Sequence, residues 1–144
     1  MINILSGIDS TSSALNAERI RMDVVSENIA NANTTRGLDG KPYQRQQVVF
    51  EAVLSAQQAA NGTQGMEAGG TRVVRIEPDQ RPPQMVFNPQ HPHADAEGMV
   101  AMPNINIHEE MVDLIAASRA FEANLAVVKN ARSMALQTLS IGKR

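Results

Sequence analysis

Apolar residues recur at alternating intervals of four and three along the last third of the chain. The series starts at Ile107, and only Ser118 and Arg132 interrupt it with polar side chains. This heptad period is typical of a helix that packs lengthwise against another helix. We name the series the C-terminal seam, and it consists of Ile107, Met111, Leu114, Ser118, Phe121, Leu125, Val128, Arg132, Ala135 and Leu139.

Signals for helix ends stand at both limits of this seam. Asn106 is a favourable N-cap, and Glu109 three residues later completes a capping box in which each side chain reaches the other residue's free backbone N–H. Glycine often lies just after a helix C-terminus, so Gly142 marks the end of this helix. Neither Pro nor Gly interrupts the segment between these signals. The pattern therefore predicts one helix of about 35 residues, roughly 50 Å long.

A second series with the same period opens the chain. It predicts a helix of about 25 residues that Ser6 or Asp9 caps and that ends at the polar cluster from Asn31 to Gly37. We name it the N-terminal seam, and it consists of Ile4, Ile8, Thr11, Leu15, Glu18, Met22, Val25, Ile29 and Ala32. The two seams predict terminal helices that pair as an antiparallel coiled coil. Because periods of 3.5 and 3.6 residues separate poorly over so short a length, ordinary amphipathic helices on a small core remain an alternative.

The end of the first predicted helix is rich in amides. Asn28, Asn31 and Ala32 lie three or four residues apart, so they share one helical face. Small side chains permit close approach of another helix, and amides satisfy backbone groups where a helix stops. A tightly packed helix terminus and a plain polar helix end fit this pattern equally well.

Residues 36–103 change in character. Apolar and β-branched runs predict two or three short strands, at Gln47–Glu51, Thr71–Glu77 and Gln84–Phe87. The stretch from Ser55 to Gly70 is rich in Ala, Gln and Gly and predicts a flexible loop. We therefore expect a mixed, mainly α fold with an N-terminal helix in residues 1–35, a small β-containing insert in residues 36–103 and a C-terminal helix in residues 104–144.

Composition narrows the function. Only 3% of residues are aromatic and Trp is absent, so a large enclosed pocket is not expected. Thirteen basic and fifteen acidic residues give a net charge of −2, which does not favour nucleic acid or an anionic membrane surface. Phosphate-binding loops, nucleophile elbows and dinucleotide fingerprints are absent, so we expect no enzyme activity, no cofactor and no small-molecule substrate.

The opening residues lack the features of a secretory signal peptide, and no apolar run is long enough to span a membrane.

One segment invites a metal-site hypothesis. His91, His93, Asp95 and Glu97 alternate at a spacing of two, so in an extended segment they point the same way and offer nitrogen and oxygen ligands. Pro92 and the nearby glycine predict a turn-rich exposed segment instead, and the chain has no Cys to tighten binding. A solvated linker is the favoured interpretation, and we expect no metal.

Both ends of the chain resemble one protein family. The N-terminal stretch 13–34, which includes Ser26-Glu27-Asn28-Ile29-Ala30-Asn31-Ala32-Asn33-Thr34, is similar to the signature of bacterial flagellar rod and hook axial proteins. The closing Thr34-Thr35-Arg36 is similar to the proximal rod members. Asn104-Ile105-Asn106-Ile107 and the stretch 109–124, which ends Arg119-Ala120-Phe121-Glu122-Ala123-Asn124, resemble the C-terminal signature of the same type. The two matches lie in the expected order at the expected ends.

The resemblance implies a structural subunit of the proximal rod, the drive shaft that transmits torque across the periplasm. Implied partners are copies of itself, other rod proteins, basal-body proteins at the rod base and the flagellar export apparatus, which exports such chains without a cleaved signal peptide. A soluble coiled-coil adaptor or secretion chaperone is the alternative. The residues expected at the seam and in assembly are Ile8, Leu15, Met22, Val25, Asn28, Ile29, Asn31, Asn33, Asn106, Met111, Leu114, Arg119, Phe121, Asn124, Leu125, Val128 and Leu139. We expect these helices to depend on neighbouring subunits for stability.

Overall fold

Two long helices bracket two small antiparallel sheets. The structure, a computed structural model, describes residues 4–37, 39–58 and 64–141. More of these residues lie in helices than in strands, so the fold is mixed with helix as its larger component. In chain order the elements are α1 (Ile4–Ala30), β1 (Gln46–Gln58), β2 (Gln64–Pro78), β3 (Gln84–Phe87), β4 (Met99–Met102) and α2 (Ile107–Ile141).

Helix α1 begins earlier than its sequence signals predict. It already includes Ser6 and Asp9, so neither residue caps it, and the predicted start was wrong. Gly7 lowers helix propensity by roughly 1 kcal/mol but does not break the hydrogen-bond ladder, which explains why the helix continues through this segment. At the other end the backbone N–H of Asn31 bonds to the carbonyl of Glu27 at 3.0 Å, and a turn follows.

Helix α2 begins after Asn106. The side-chain oxygen of Asn106 accepts a hydrogen bond from the backbone N–H of His108 at 3.1 Å, and its side-chain amide donates to Glu109 at 3.1 Å. The carboxylate of Glu109 therefore meets the side-chain amide and not the backbone N–H that a capping box would use. The helix extends to Ile141, and Gly142 lies outside the described residues.

The hairpin of β1 and β2 is much longer than predicted. Its register begins with Gln46 opposite Pro78 and extends to Gln58 opposite Gln64, with shifts between Val49 and Phe50 and between Val53 and Leu54. Residues 55–58 and 64–70 are strand, so the loop prediction was wrong there, while residues 59–63 lie outside the described residues. Backbone groups alone form the ladder, so it can continue through Ala, Gln and Gly, which have little β propensity.

The hairpin approaches α1 closely at Gly70. Its backbone φ angle of 121° is one that glycine adopts readily and other residues rarely adopt. A side chain at this position would also collide with the Ser13 hydroxyl. That hydroxyl accepts a hydrogen bond from the backbone N–H of Thr71 at 3.1 Å and donates to the Ser10 carbonyl at 2.7 Å. Gly70 therefore permits the contact that holds the hairpin against the helix.

Strands β3 and β4 form the second sheet. Phe87 pairs with Met99 and Gln84 with Met102. The sequence prediction omitted β4 because four residues flanked by glycine and proline give little periodicity. Burial of Val100 stabilises the strand instead.

The core is small and built from small side chains. Among the described residues, the buried apolar ones are Ala17, Val24, Val25, Ala32, Val100 and Ala117. Helix α1 packs against α2 and both long strands. In the described part of the chain, neither helix has a segment that is apolar and long enough to cross a membrane.

Candidate functional site: a polar junction and an exposed helix face

Asn28 is the centre of a buried polar cluster where α1, α2 and the base of the hairpin meet. Its side chain is 0% exposed, and all four of its hydrogen-bonding positions are used. The amide nitrogen donates to the Gln46 carbonyl at 2.9 Å and to the Glu110 carboxylate at 3.1 Å. The amide oxygen accepts from the Gln46 backbone N–H at 2.9 Å and from the Tyr43 hydroxyl at 3.1 Å. One amide thus joins three segments of the chain.

Glu110 supplies the buried charge of this cluster. It is 1% exposed, one carboxylate oxygen accepts from Asn28, and the other accepts from the Arg45 guanidinium at 2.6 Å. A buried carboxylate is costly unless it is paired and hydrogen-bonded, and both conditions are met here. The second guanidinium nitrogen of Arg45 lies 3.7 Å from Asp79, which continues the chain of charges to the end of the hairpin.

Asp79 completes the cluster, which we name the polar junction: Asn28, Tyr43, Arg45, Gln46, Asp79, Arg81 and Glu110. The Asp79 carboxylate accepts from Arg81 side-chain nitrogens at 2.7 and 2.8 Å and from its backbone N–H at 3.0 Å. These hydrogen bonds lower the pKa of Asp79 below its ordinary value, although burial opposes the shift. The same bonds raise the pKa of the Arg81 guanidinium.

The surroundings of Tyr43 disfavour its ionised form. Burial, and then the negative charges of Glu27 and Glu110, raise the pKa of Tyr43 to about 12. A neutral phenol keeps its O–H donor, which is the group that bonds to Asn28. The raised pKa therefore extends the pH range in which this O–H donor is present from about 10 toward 12.

A covered stripe follows α2 along its contact with the rest of the chain. Its members are buried or half-buried and recur at intervals of four and three: Glu110, Leu114, Ala117, Phe121, Asn124, Val128, Ala131 and Ala135. This covered stripe shares Leu114, Phe121, Val128 and Ala135 with the C-terminal seam. Its other members each lie one residue before a seam position, so the covered face is turned relative to the predicted one.

The structure places the predicted site residues in three environments. Val25 and Asn28 are buried. The half-buried ones are Ile8, Leu15, Met22, Ile29, Asn31, Leu114, Phe121, Asn124 and Val128. The exposed ones are Asn33, Asn106, Met111, Arg119, Leu125 and Leu139. Only part of this set is therefore brought together within one chain.

Large apolar side chains are exposed on more than one side of α2, in two groups that run from Ile107 to Ile115 and from Leu125 to Ile141. The set is Ile107, Met111, Val112, Ile115, Leu125, Val127, Met134, Leu136, Leu139 and Ile141. We name it the exposed apolar face. Apolar surface of this extent on a helix is typical of a protein interaction site.

Sequence reasoning missed most of the polar junction. As an acid in the first turn of α2, Glu110 signals only a favourable interaction with the helix dipole, and Arg45, Asp79 and Tyr43 give no signal. Apart from the Asp79–Arg81 pair, whose members are two residues apart, the partners lie between about 15 and 80 residues away along the chain, which no local pattern can report. Asn28 was singled out as an amide at a helix end, but its long-range partners were not foreseen.

The two histidines of the metal-site hypothesis have other partners. The backbone N–H of His93 donates to the Nδ1 atom of His91 at 3.1 Å, and the Nδ1 atom of His93 lies 2.9 Å from the Thr35 hydroxyl. The rings meet edge to face, with centroids 5.3 Å apart. Across the described residues there is no group of three or more His, Asp or Glu side chains arranged to hold a metal ion.

Two protein-family models match the two ends of this chain. Residues 8–36 match the family model described as flagella basal body rod protein, and residues 96–141 match the one described as flagellar basal body rod FlgEFG protein C-terminal. The flagellar basal-body rod protein FlgC of Yersinia enterocolitica is 42% identical over 99% of this chain and 100% of its own length. The chain belongs to the FlgC family of flagellar basal-body rod proteins.

Similarity extends to distant bacteria. FlgC of Borreliella burgdorferi is 39% identical, covering 97% of this chain and 98% of its own length, and FlgC of Bacillus subtilis is 37% identical, covering 94% and 96%. As a member of this family, the chain is a structural rod subunit of the flagellar basal body and not an enzyme.

Proposed function

We propose that this rod subunit polymerises through its terminal helices to form the proximal part of the drive shaft, which crosses the periplasm and transmits motor torque. The observation that supports this most strongly is the exposed apolar face. A single chain leaves these side chains exposed in both the first and the second half of α2, and burial of such surface against other subunits is favourable by about 25 cal/mol per Å².

Within one subunit, we propose that α1 and α2 pair as an antiparallel coiled coil. Two contacts support this direction: Asn28 bonds to Glu110, and the earlier residue Arg21 bonds to the later residue Asp113 at 3.3 Å. The intervals of four and three in the covered stripe support the coiled-coil packing. Small members such as Ala117, which is 0% exposed, allow the helices to approach closely.

The polar junction has a mechanical role in this proposal. Torque passes from one subunit to the next only if each subunit resists shear between its helices and its insert. Hydrogen bonds from Asn28 and Arg45 tie both helices to the start of β1, and the bond from the Asp79 backbone N–H to the Arg45 carbonyl at 2.7 Å closes the base of the hairpin. Such a satisfied polar network favours one relative arrangement.

The proposed partners are copies of this chain, other rod proteins and basal-body proteins at the rod base. Export proceeds through the flagellar export apparatus without cleavage of a signal peptide. The proposed residues for subunit contacts are the exposed members of the predicted set, including Met111, Leu125 and Leu139.

Deletion of the gene and complementation test the proposal. We expect the wild-type chain in purified basal bodies, and we expect that the deletion abolishes filament assembly and that a plasmid copy restores it. A soluble adaptor or secretion chaperone would instead remain in the cytoplasm and be absent from washed basal bodies. Mass spectrometry of the purified basal body, which also reads the intact N-terminal peptide, distinguishes the two.

A further inference from the structure

A cavity of about 170 Å³ opens beside the polar junction. Three cationic side chains line it, those of Lys41, Arg45 and Arg81, and Asp79 is the acid among its described lining residues. Pro83 supplies an apolar part of the wall. The lining therefore has an excess of positive charge, although the whole chain has a net charge of −2.

The cations differ in their availability. Arg45 is bonded to Glu110, and Arg81 is bonded to Asp79. Lys41 is exposed and has no ion pair among the residues that the structure describes. Arg81 is also half open to solvent, with 52% of its side chain exposed. An incoming carboxylate would therefore find a free ammonium group and the outer edge of a guanidinium group.

An open groove of about 650 Å³ adjoins this cavity, because Pro83 and Asn104 line both. Ile105 and Ile107 contribute apolar surface to the groove. We name the two together the acid-apolar cleft, after the acidic and apolar side chains that it would accept. Its shape and charge fit a carboxylate with an apolar side chain one helical turn away.

We propose that the acid-apolar cleft binds α2 of a second copy of this chain, with Glu122 in the cavity and Leu125 in the groove. This rests on the proposed polymerisation and specifies one of its contacts. Residues three apart lie side by side on a helix, so one helix face presents both groups.

Other acids of α2 fit less well. Glu110 is buried, Asp113 bonds to Arg21, and Glu109 accepts from Asn106 beside the groove itself. Glu122 is exposed and has no ion pair or hydrogen bond to another side chain within the described part of the chain. Leu125 next to it is 36% exposed, which supplies the apolar group.

Cysteine cross-linking tests the contact directly, because the chain has no natural Cys. Cells would express Lys41→Cys and Glu122→Cys as two separately tagged copies, and isolated basal bodies would be treated with a bismaleimide whose span matches an extended Lys–Glu pair, because a direct disulfide requires Cα atoms within about 7 Å. We expect a cross-linked dimer that contains both tags. Arg36→Cys is the matched control for Lys41→Cys, since it is exposed on the same segment but does not line the cleft, and it should give none.

Charge exchange provides a second readout. Lys41→Glu and Glu122→Lys should each lower the yield of complete rods by roughly two- to fivefold, as an exposed ion pair allows. The double variant should recover most of that loss.

The inference is overturned if both cysteine variants enter basal bodies without the mixed dimer, or if the losses in the double variant simply multiply. Absence of the wild-type chain from basal bodies would instead overturn the proposed function itself, so the two failures are distinguishable.

Discussion

The two ends of α2 differ in how far the chain itself satisfies them. Near its start, Glu110 is almost fully buried and bonded through both carboxylate oxygens, whereas near its end Leu139 is 67% exposed. The buried polar groups of the first region are satisfied by contacts within one chain, although Val112 beside them is 66% exposed, whereas every described residue from Leu136 to Ile141 is exposed. This difference supports the proposal that hydrogen bonds within one chain fix the polar junction and that other subunits cover the end of α2.

The largest effect is expected from an acidic substitution in the exposed apolar face. Leu125→Asp should leave the stability of the isolated chain almost unchanged but prevent incorporation into the rod, because assembly would bury an unpaired carboxylate at a cost of about 3–5 kcal/mol. Quantification of the variant in basal bodies measures this. Asn130→Asp, which places a carboxylate at an exposed polar position of the same helix, is the control and should assemble. Normal rods with Leu125→Asp would show that this face is not an interface.

The opposite pattern is expected for the polar junction. Asn28→Asp removes both amide donors and places a second carboxylate where 3.1 Å now separates the Asn28 amide from Glu110, so we expect a loss of about 3–5 kcal/mol in the free energy of unfolding. Urea unfolding, followed by the fluorescence of the single tyrosine, measures it.

Asn33→Asp makes the same chemical change at an exposed site five residues later and should cost no more than about 0.5 kcal/mol. Equal effects of the two substitutions would remove the distinction between a satisfied junction and ordinary surface.

A smaller effect follows from Tyr43. Its pKa is raised to about 12 in the folded chain from an ordinary value of 10.0, so the neutral phenol stabilises the fold below pH 10 and that contribution is lost as pH rises from 10 toward 12. Tyr43→Phe should cost about 1 kcal/mol at neutral pH through loss of the bond to Asn28 and should remove this alkaline dependence. Tyrosinate absorbance of the wild type gives the pKa, and circular dichroism follows the unfolding of both proteins. A Tyr43 that titrates near its ordinary value would contradict the described environment.

The smallest expected effect is none. Replacement of His91 and His93 together by Ala should leave swimming unchanged, because neither side chain joins a group of three or more possible metal ligands among the described residues. Calorimetry with zinc should detect no stoichiometric binding to the wild type. Submillimolar binding combined with lost motility would restore the metal-site hypothesis.

Local signals explain which features of the fold could be predicted from sequence. Asn106 and the absence of Gly and Pro after it predict the start and length of α2, because helix ends depend on near neighbours. The long hairpin could not be predicted in full, since its ladder uses backbone groups that any residue supplies. The packing of Gly70 on Ser13 depends on a contact 57 residues apart in sequence, which no periodic pattern reports.

The candidate site was only partly predictable for a related reason. The heptad pattern predicts Met111 and Leu125 as contact positions because they are large and apolar. In the structure the covered positions are instead Glu110 and Asn124, each one residue earlier. Close helix contact favours small residues, and a buried carboxylate is acceptable when Arg45 lies opposite it. Such compensation is visible only once distant segments are brought together.

Amide hydrogen exchange, measured residue by residue on dilute monomer and on purified basal bodies, tests the central claim most directly. We predict that amides around Glu110 to Ala117 are protected in both states. Amides from Leu125 to Leu139 should exchange rapidly in the monomer and become protected in the rod, because the half-buried Val128, Ala131 and Ala135 give this segment little cover within one chain and the proposed neighbours add the rest. Strong protection of this distal segment in the monomer would contradict the account, since the helix would then be stable without the subunits that we propose complete it.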